Sequence, residues 1–170
     1  NNSINDHGKY PLYIAAMRAG ELDGTGSEYV GNDDNYIAFL NTNVDDEMTL
    51  PKADIPYLVE SFVLDVTEQL TIEPGTNITF LDNGGMGIYD QGVLIAIGTA
   101  SEKIVFEGIR DEKGIWRGIH TEANNALNEI THAEIRNAGS NYVYCCNNIA
   151  ALFVKSGQLT VTNTFIADND

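Results

Sequence analysis

The chain has 170 residues, 43% of them hydrophobic, and its 9 Lys and Arg against 25 Asp and Glu leave a formal net charge of −16. This hydrophobic content suffices for one folded domain and excludes a disordered chain, while the negative field opposes binding to nucleic acid, anionic lipid or acidic polysaccharide. We therefore expect a neutral glycan, a cation or a surface protein as partner, and no membrane insertion, because no apolar run reaches the roughly 18 residues of a membrane span.

Residues 1–57 are the least regular part of the chain. Tyr10 to Ala15 and Tyr36 to Leu40 have the composition of short strands, with turn residues between them. This pattern predicts either a separate cap or degenerate coils of a repeat structure. We favour the coils, because Ile4-Asn5-Asp6 matches Ile166-Ala167-Asp168 and should occupy the same corner.

From Gln69 to Ile109, short β-rich runs alternate with turn residues such as Glu73-Pro74-Gly75. The runs are Leu70 to Ile72, Asn77 to Leu81, Gly87 to Tyr89, Val93 to Ile97 and Ile104 to Phe106. Strands this short cannot bury a face by pairing once in a hairpin, but they can when successive coils stack on one another. Helix signals are confined to Pro51 to Glu60 and Thr121 to Glu129.

A leucine position returns at intervals of about 20 to 35 residues, which is the spacing of a solenoid repeat. The leucines are Leu70, Leu94, Leu127 and Leu159. Around them, aliphatic residues alternate with polar ones, as a strand with one buried and one solvated face requires. We predict that the aliphatic side chains stack in inward-facing columns, with about 4.8 Å between coils.

Several segments resemble a known repeat. They are Leu70 to Thr76, Gly92 to Ala100, Lys103 to Phe106, Trp116 to Ile119, Ile130 to Gly139 and Leu159 to Asn169. Together they resemble the right-handed parallel β-helix repeats of secreted and cell-surface proteins, common in Bacteroidota, of the pectate-lyase-like solenoid superfamily. Lys103 stands where these repeats usually have proline. The resemblance implies an all-β, right-handed parallel β-helix (β-solenoid) that forms one continuous solenoid, with regular coils over residues 58–170 and degenerate coils or a cap over 1–57.

The resemblance also implies export, so we expect an extracellular or cell-surface location, with any secretion signal upstream of the given sequence. Proteins of this fold include polysaccharide lyases, glycosidases and adhesins, and the fold alone does not choose among them. Because no strong catalytic signature is present, we expect a non-catalytic structural or adhesive module. A glycan-binding module or a carbohydrate-active enzyme is the alternative. Unpaired strand edges at both ends would permit head-to-tail self-association into a rod or filament, or continuation of the solenoid.

One group of charged residues would suit a lyase if its members converged on one wall. The group comprises Glu107, Arg110, Arg117, Glu122, Glu134 and Arg136. A solvated ladder of ion pairs is the other interpretation, and the net negative charge opposes binding of a polyanion. His7, His120 and His132 show no metal-binding spacing, and we expect His120 to be a surface histidine.

Aromatic residues near a predicted protrusion at residues 139–148 are the candidates for ligand binding. Tyr142, Tyr144 and Trp116 offer flat apolar faces with a polar edge, which suit neutral sugars. For Trp116 the alternative is a packed corner residue, which leaves the two tyrosines as the main candidates. The adjacent Cys145 and Cys146 form either a vicinal disulfide or two free thiols.

Acidic turns supply oxygen ligands of the kind that calcium prefers. Their aspartates are Asp33, Asp34, Asp45, Asp46, Asp168 and Asp170. A structural calcium ion at such a turn is one interpretation, and plain solvated turns are the other, because none matches the spaced ligands of a calcium-binding loop. We expect no other cofactor and assign no catalytic residue.

Overall fold

The computed structural model describes residues 2–23, 26–41, 43–60, 62–141 and 149–170. The chain folds as a right-handed parallel β-helix, as the sequence predicts. The described residues form three parallel sheets of seven, five and five short strands and one 3₁₀-helix, η1 (Ala16–Glu21). No helix in these ranges is long and apolar enough to span a membrane.

The three sheets are numbered here by size and by the order in which the chain enters them. Sheet 1 contains β1 (Leu12–Ile14), β2 (Ile37–Phe39), β5 (Tyr57–Val59), β8 (Asn77–Phe80), β11 (Ile104–Gly108), β14 (Ala133–Arg136) and β17 (Phe165–Ala167). Sheet 2 contains β3 (Asn43–Val44), β6 (Val63–Val66), β9 (Gly85–Ile88), β12 (Ile119–Thr121) and β15 (Leu152–Val154). Sheet 3 contains β4 (Met48–Leu50), β7 (Gln69–Ile72), β10 (Val93–Ile97), β13 (Glu129–Thr131) and β16 (Thr160–Thr162).

Inward side chains stack in columns, because the strands of each sheet are parallel and in register. In sheet 3, Leu70 pairs with Met48 on one side and with Leu94 on the other. In sheet 1, Phe106 pairs with Ile78. All five side chains are buried. These columns take the place of a globular core and confirm the predicted stacking of coils.

The column of inward side chains that contains Leu70 and Leu94 continues at Asn128 and not at Leu127. β10 pairs with β13 so that Ile95 lies beside Glu129, and the residue next to Leu94 is therefore Asn128. Leu127 is 60% exposed, whereas Asn128 is buried. The prediction that Leu127 continues the column is wrong, because an asparagine that hydrogen-bonds to the backbone fills the inward position instead.

Residues 1–57 contribute to the same sheets as the later coils. β1 and β2 lie in sheet 1, while β3 and β4 are the first strands of sheets 2 and 3. The helix signals at 51–60 and 121–129 are wrong, because these segments contain β5, the end of β12 and the start of β13. The helical segment is η1, a short 3₁₀ connector of the kind that lacks an amphipathic signature.

The matching residues near the two termini do not occupy equivalent corners. Asp6 and Asp168 both adopt a left-handed backbone conformation, with φ of 61° and 55°, which aspartate tolerates better than most residues. However, Asp6 precedes β1, whereas Asp168 follows β17, and both strands belong to sheet 1. The predicted equivalence is wrong, because a shared preference for a turn does not specify which corner the turn forms.

The two ends of the β-helix differ. η1 packs against β3 and β4, and its Ala16 and Ala19 are buried in the core. At the other end, β15, β16 and β17 are the last strands of their sheets among the described residues, and Val161, Phe165 and Ile166 are exposed there. The first edges of sheets 2 and 3 are therefore covered by η1, while no described strand pairs with the outer edges of β15, β16 and β17.

Candidate ligand-binding groove

The outer face of sheet 1 forms a groove of about 460 Å³. Alternate residues of a strand point to the same face, so Thr79 on β8 and Glu107 on β11 are outward-facing neighbours. Asn77 and Val105 form a second neighbouring pair on the same face. The segment after β11, with Arg110 in it, also lines the groove. Strands therefore make the floor of the groove, and a loop makes one wall.

Glu134 at the edge of the groove is held by two cations. Lys103 Nζ lies 2.8 Å from Glu134 Oε1, and the Arg136 guanidinium donates to Glu134 Oε2 at 3.1 Å and 2.6 Å. These hydrogen bonds, first from Lys103 and then from Arg136, hold the pKa of Glu134 below its ordinary value. Both cations are thus engaged with a carboxylate of the chain itself.

The charged residues of the loop wall are also paired. The Arg110 guanidinium lies 2.9 Å from Asp82 Oδ1 and 3.7 Å from Glu112 Oε2. The Asp111 carboxylate accepts a hydrogen bond of 3.4 Å from Asn137 Nδ2. The wall therefore presents polar groups that are largely satisfied within the chain.

Glu107 is different from the other charged residues of the groove. It is half-buried and has no hydrogen bond or ion pair with any residue that the structure describes. Burial raises the pKa of Glu107, an effect that Arg136 opposes and that Glu134 and Asp111 reinforce. A half-buried carboxylate without a hydrogen-bond donor loses hydration that the distant charge of Arg136 compensates only in part, so Glu107 can accept a donor from a ligand.

Thr79 adds a second unsatisfied polar group beside Glu107. It is only 2% exposed and lines the groove, and its hydroxyl has no hydrogen-bond partner within the described ranges. A hydroxyl donates one hydrogen bond and accepts up to two. Thr79 and Glu107 thus form a polar pair on the groove floor whose bonding capacity is unused.

A smaller recess of about 280 Å³ lies at the β1 end of the same sheet, lined by Lys9, Tyr10, Tyr13 and Glu60. The two tyrosine rings are stacked, with centroids 6.1 Å apart and planes inclined by 9°. The Tyr13 hydroxyl donates to Glu60, and this hydrogen bond raises the pKa of Tyr13. Tyr13 is 46% exposed. The recess therefore offers aromatic surface to solvent at a place where the sequence pattern indicated only a strand.

The recess and the groove lie on one outward column of sheet 1. Tyr13 pairs with Ala38, Ala38 with Leu58, Leu58 with Thr79, and Thr79 with Glu107. Four steps between neighbouring strands correspond to about 19 Å. The stacked tyrosines and the Thr79–Glu107 pair therefore form the two ends of one line that runs across the strands.

Four of the six charged residues considered for a lyase site line this groove: Glu107, Arg110, Glu134 and Arg136. The other two lie elsewhere. Glu122 Oε2 is 3.1 Å from Lys155 Nζ at the end of sheet 2, and Arg117 lies just before Gly118 and β12 of that sheet. Of these four, Arg110, Glu134 and Arg136 form ion pairs, as the alternative interpretation predicts. Glu107 forms none with the described residues.

His120 is not a surface histidine, which corrects the sequence prediction. It is 1% exposed, because the rings of Tyr89 and Phe153 pack with their centroids 5.8 Å and 4.9 Å from its own. Its Nε2 lies 3.1 Å from Glu122 Oε1. Burial lowers the pKa of His120, and Glu122 opposes this effect. His120 is thus part of a packed cluster on the outside of sheet 2.

Trp116 is a packed corner residue, the alternative that the sequence left open. It is fully buried, and its ring stacks on Phe80 with centroids 4.1 Å apart and planes inclined by 5°. Its Nε1 donates to the backbone oxygen of Arg136 at 2.7 Å. A sugar cannot reach either face of this ring, so Trp116 does not serve as a ligand platform.

The other predicted ligand-binding residues, Tyr142 and Tyr144, and the adjacent Cys145 and Cys146, lie outside the described residues. The six aspartates considered for calcium are exposed. They lie at three places: Asp33 and Asp34 before β2, Asp45 and Asp46 between β3 and β4, and Asp168 and Asp170 after β17. Across the described ranges, no three or more His, Cys, Asp or Glu side chains group in a way that could hold a metal ion. A calcium site formed partly by carbonyl oxygens stays a prediction.

Comparison with known proteins adds no further assignment. No family model matches the chain, and no curated protein and no solved structure is significantly similar to it.

Proposed function

We propose that the chain is an extracellular, non-catalytic adhesive β-helix module of the pectate-lyase-like type, and that it binds a glycan along the outer face of sheet 1. One observation carries this proposal. The stacked Tyr10 and Tyr13 and the unsatisfied Thr79–Glu107 pair lie on a single line across the strands. The two ends are about 19 Å apart, and Ala38 and Leu58 between them are buried, so an extended ligand that contacts both ends would pass over the side chains that cover these two residues.

The chemistry of the two ends suits a carbohydrate. Sugar rings have apolar faces that pack on aromatic rings and hydroxyl groups that need hydrogen-bond partners. Tyr13 supplies an exposed aromatic surface, and Glu107 and Thr79 supply an acceptor and a hydroxyl with unused capacity. The net charge of −16 disfavours uronate polymers, because like charges repel.

Binding without hydrolysis is the better-supported activity of this groove. A glycosidase uses two carboxylates of different protonation placed across the scissile bond. Glu134 is neutralised by Lys103 and Arg136, and Asp111 is exposed and accepts a hydrogen bond from Asn137. This leaves Glu107 as the one half-buried groove carboxylate whose pKa is raised by burial, where a glycosidase needs two carboxylates.

Head-to-tail self-association stays a prediction, and we place it second. Its support is the open edge at β15, β16 and β17, where Phe165 and Ile166 are exposed. A head-to-tail contact would also need free edges at the other end. There η1 packs against β3 and β4, with Ala16 buried in the core, and it would have to move aside.

The test is a glycan array with the purified chain, followed by titration calorimetry with the best ligand. We expect binding to a neutral or cationic glycan, and a loss of about threefold to tenfold for Tyr13→Ala, the range expected for one aromatic contact. Glu68→Gln, at an exposed position between β6 and β7, is the control and should bind normally. Absence of any glycan ligand, or normal binding by Tyr13→Ala, would contradict the proposal, and release of new reducing ends would show an enzyme instead.

A further inference from the structure

The cations that line the groove are engaged with carboxylates of this chain. Arg136 is bound to Glu134, which also pairs with Lys103, and Arg110 is bound to Asp82. Glu107 has neither a cation nor a hydrogen-bond donor among the described residues. The floor of the groove therefore holds one carboxylate without a direct partner, whose charge the nearby Arg136 offsets only in part.

The position of Glu107 makes a cationic ligand group favourable. Ionised groups that are partly removed from water are stabilised when an opposite charge with hydrogen-bond donors approaches them. The net charge of −16 also raises the local concentration of cations near the surface. A neutral hydroxyl would satisfy the hydrogen bond of Glu107 but would leave its charge uncompensated.

Thr79 is an independent indication of a ligand at this place. It is 2% exposed, it lines the groove, and its hydroxyl is unpaired within the described part of the chain. The hydroxyl oxygen itself is open to the groove, where a ligand can reach it. An ammonium group has three donors and no acceptor, so a single ammonium can donate to the Glu107 carboxylate and to the Thr79 hydroxyl at once.

We propose that the glycan bound in the groove carries free amines, as a glucosamine polymer does, and that Glu107 and Thr79 hold one ammonium group of an amino sugar. This inference rests on the proposed glycan binding and names its ligand class. An acetylated amine lacks the charge and has a single N–H donor, so it satisfies the pair less well. Discrimination between the amine and its acetylated form is therefore the property that distinguishes this site.

The test compares short glucosamine and N-acetylglucosamine oligomers of equal length by titration calorimetry, with the full chain at about pH 6, where amines are protonated. We expect the wild type to bind the glucosamine oligomer at least about tenfold more tightly, as a charge-assisted hydrogen bond allows. Glu107→Gln should bind both oligomers equally, and Thr79→Val should lose part of the preference. Glu68→Gln removes the same charge outside the groove and should retain the preference.

Each other outcome overturns a defined part of the proposal. Equal binding of both oligomers by the wild type would refute the amine site and leave glycan binding intact. Absence of binding to either, and to every glycan on the array, would refute both. Retention of the preference in Glu107→Gln and Thr79→Val would refute the assignment to this pair. If oligolysine bound as tightly as the glucosamine oligomer, and Glu107→Gln abolished this binding, the ligand would be a basic peptide and not an amino sugar. Thermal unfolding curves establish that each variant is folded.

Discussion

The Oδ1 atom of Asn128 accepts a hydrogen bond from the backbone N–H of Leu94 at 2.7 Å. Asn128 is buried at the inward position beside Leu94, where the neighbouring coils place Leu70 and Met48. Its Nδ2 donates to the backbone oxygen of Asn125 at 3.1 Å. One side chain therefore ties the loop before β13 to the preceding coil, and this explains why a polar residue interrupts an apolar column.

This relationship gives the first prediction. Asn128→Ala leaves the buried N–H of Leu94 without an acceptor, and an unsatisfied buried group costs about 1–3 kcal/mol. We expect the free energy of unfolding in urea to fall by that amount. Leu127→Asn, at the exposed neighbouring position, is the control and should change it by less than about 0.5 kcal/mol. A larger loss for Leu127→Asn would show that the column is phased on Leu127 after all.

Trp116 provides a second prediction, which separates packing from ligand binding. Removal of a buried aromatic side chain typically costs about 3–5 kcal/mol, so Trp116→Ala should strongly lower the free energy of unfolding. Trp116→Phe retains the stacking on Phe80 but loses the hydrogen bond to the Arg136 carbonyl, and about 1–3 kcal/mol is expected for it. Unfolding is followed by circular dichroism, because the substitution removes the single tryptophan of the chain.

Glycan binding by Trp116→Phe should equal that of the wild type. If binding were lost while the unfolding free energy stayed unchanged, Trp116 would be a ligand platform and its buried position would be wrong.

The third prediction concerns Gly118, which lies directly before β12 with φ of 106°. A Cβ atom at this position would lie 2.3 Å from the backbone oxygen of Ala150. Gly118→Ala must therefore shift the backbone as well as adopt an unfavourable φ, and strain of this kind costs of order 1–3 kcal/mol. The midpoint of thermal unfolding should fall accordingly.

Gly8→Ala is the matched control, because the nearest atom to its Cβ position, Asp33 Oδ2, is 3.9 Å away. Its unfolding midpoint should stay close to that of the wild type. Equal midpoints for the two variants would mean that the coils are not packed as closely at Gly118 as described.

The fourth prediction is a dependence of stability on pH that originates at His120. Burial lowers its pKa in the folded state, opposed in part by Glu122, so the unfolded chain takes up the proton first as the pH falls. The contribution of neutral His120 to stability is thus complete above about pH 6.5, the unfolded value, and is lost as the pH falls toward the lower folded-state pKa. The aromatic neighbours Tyr89 and Phe153 and the charged Glu122 and Lys155 surround the ring.

His120→Phe keeps an aromatic ring at this place and removes the titration. As the pH falls from about 7.5 to 5, the unfolding free energy of the wild type should decrease relative to that of the variant. Urea denaturation across that range measures both values. A difference that stays constant with pH would show that His120 does not titrate differently on folding.

Much of the fold was predictable from local patterns, while the candidate site was predictable only in part. Alternation of aliphatic and polar residues predicted the strands around Leu70 and Leu94, and these two residues are direct partners. Of the six charged residues whose convergence the sequence left open, four line the groove, Glu107 and Arg136 among them. The sequence did not indicate which member would remain unpaired, because that depends on which cation reaches which carboxylate in space. The aromatic pair of Tyr10 and Tyr13 was missed for the same reason, since three-residue spacing does not predict stacked rings.

The amino-acid sequence by itself determined that short strands repeat and stack, because alternating polarity and turn residues act over a few neighbouring positions. Only the tertiary structure decided the exact phase at Asn128, the burial of His120 and the alignment of Tyr13 with Glu107. The physical reason is that the coils differ in length, because the loops between strands contain different numbers of residues. Register between residues far apart in sequence is therefore set by backbone pairing between coils, which no local pattern encodes.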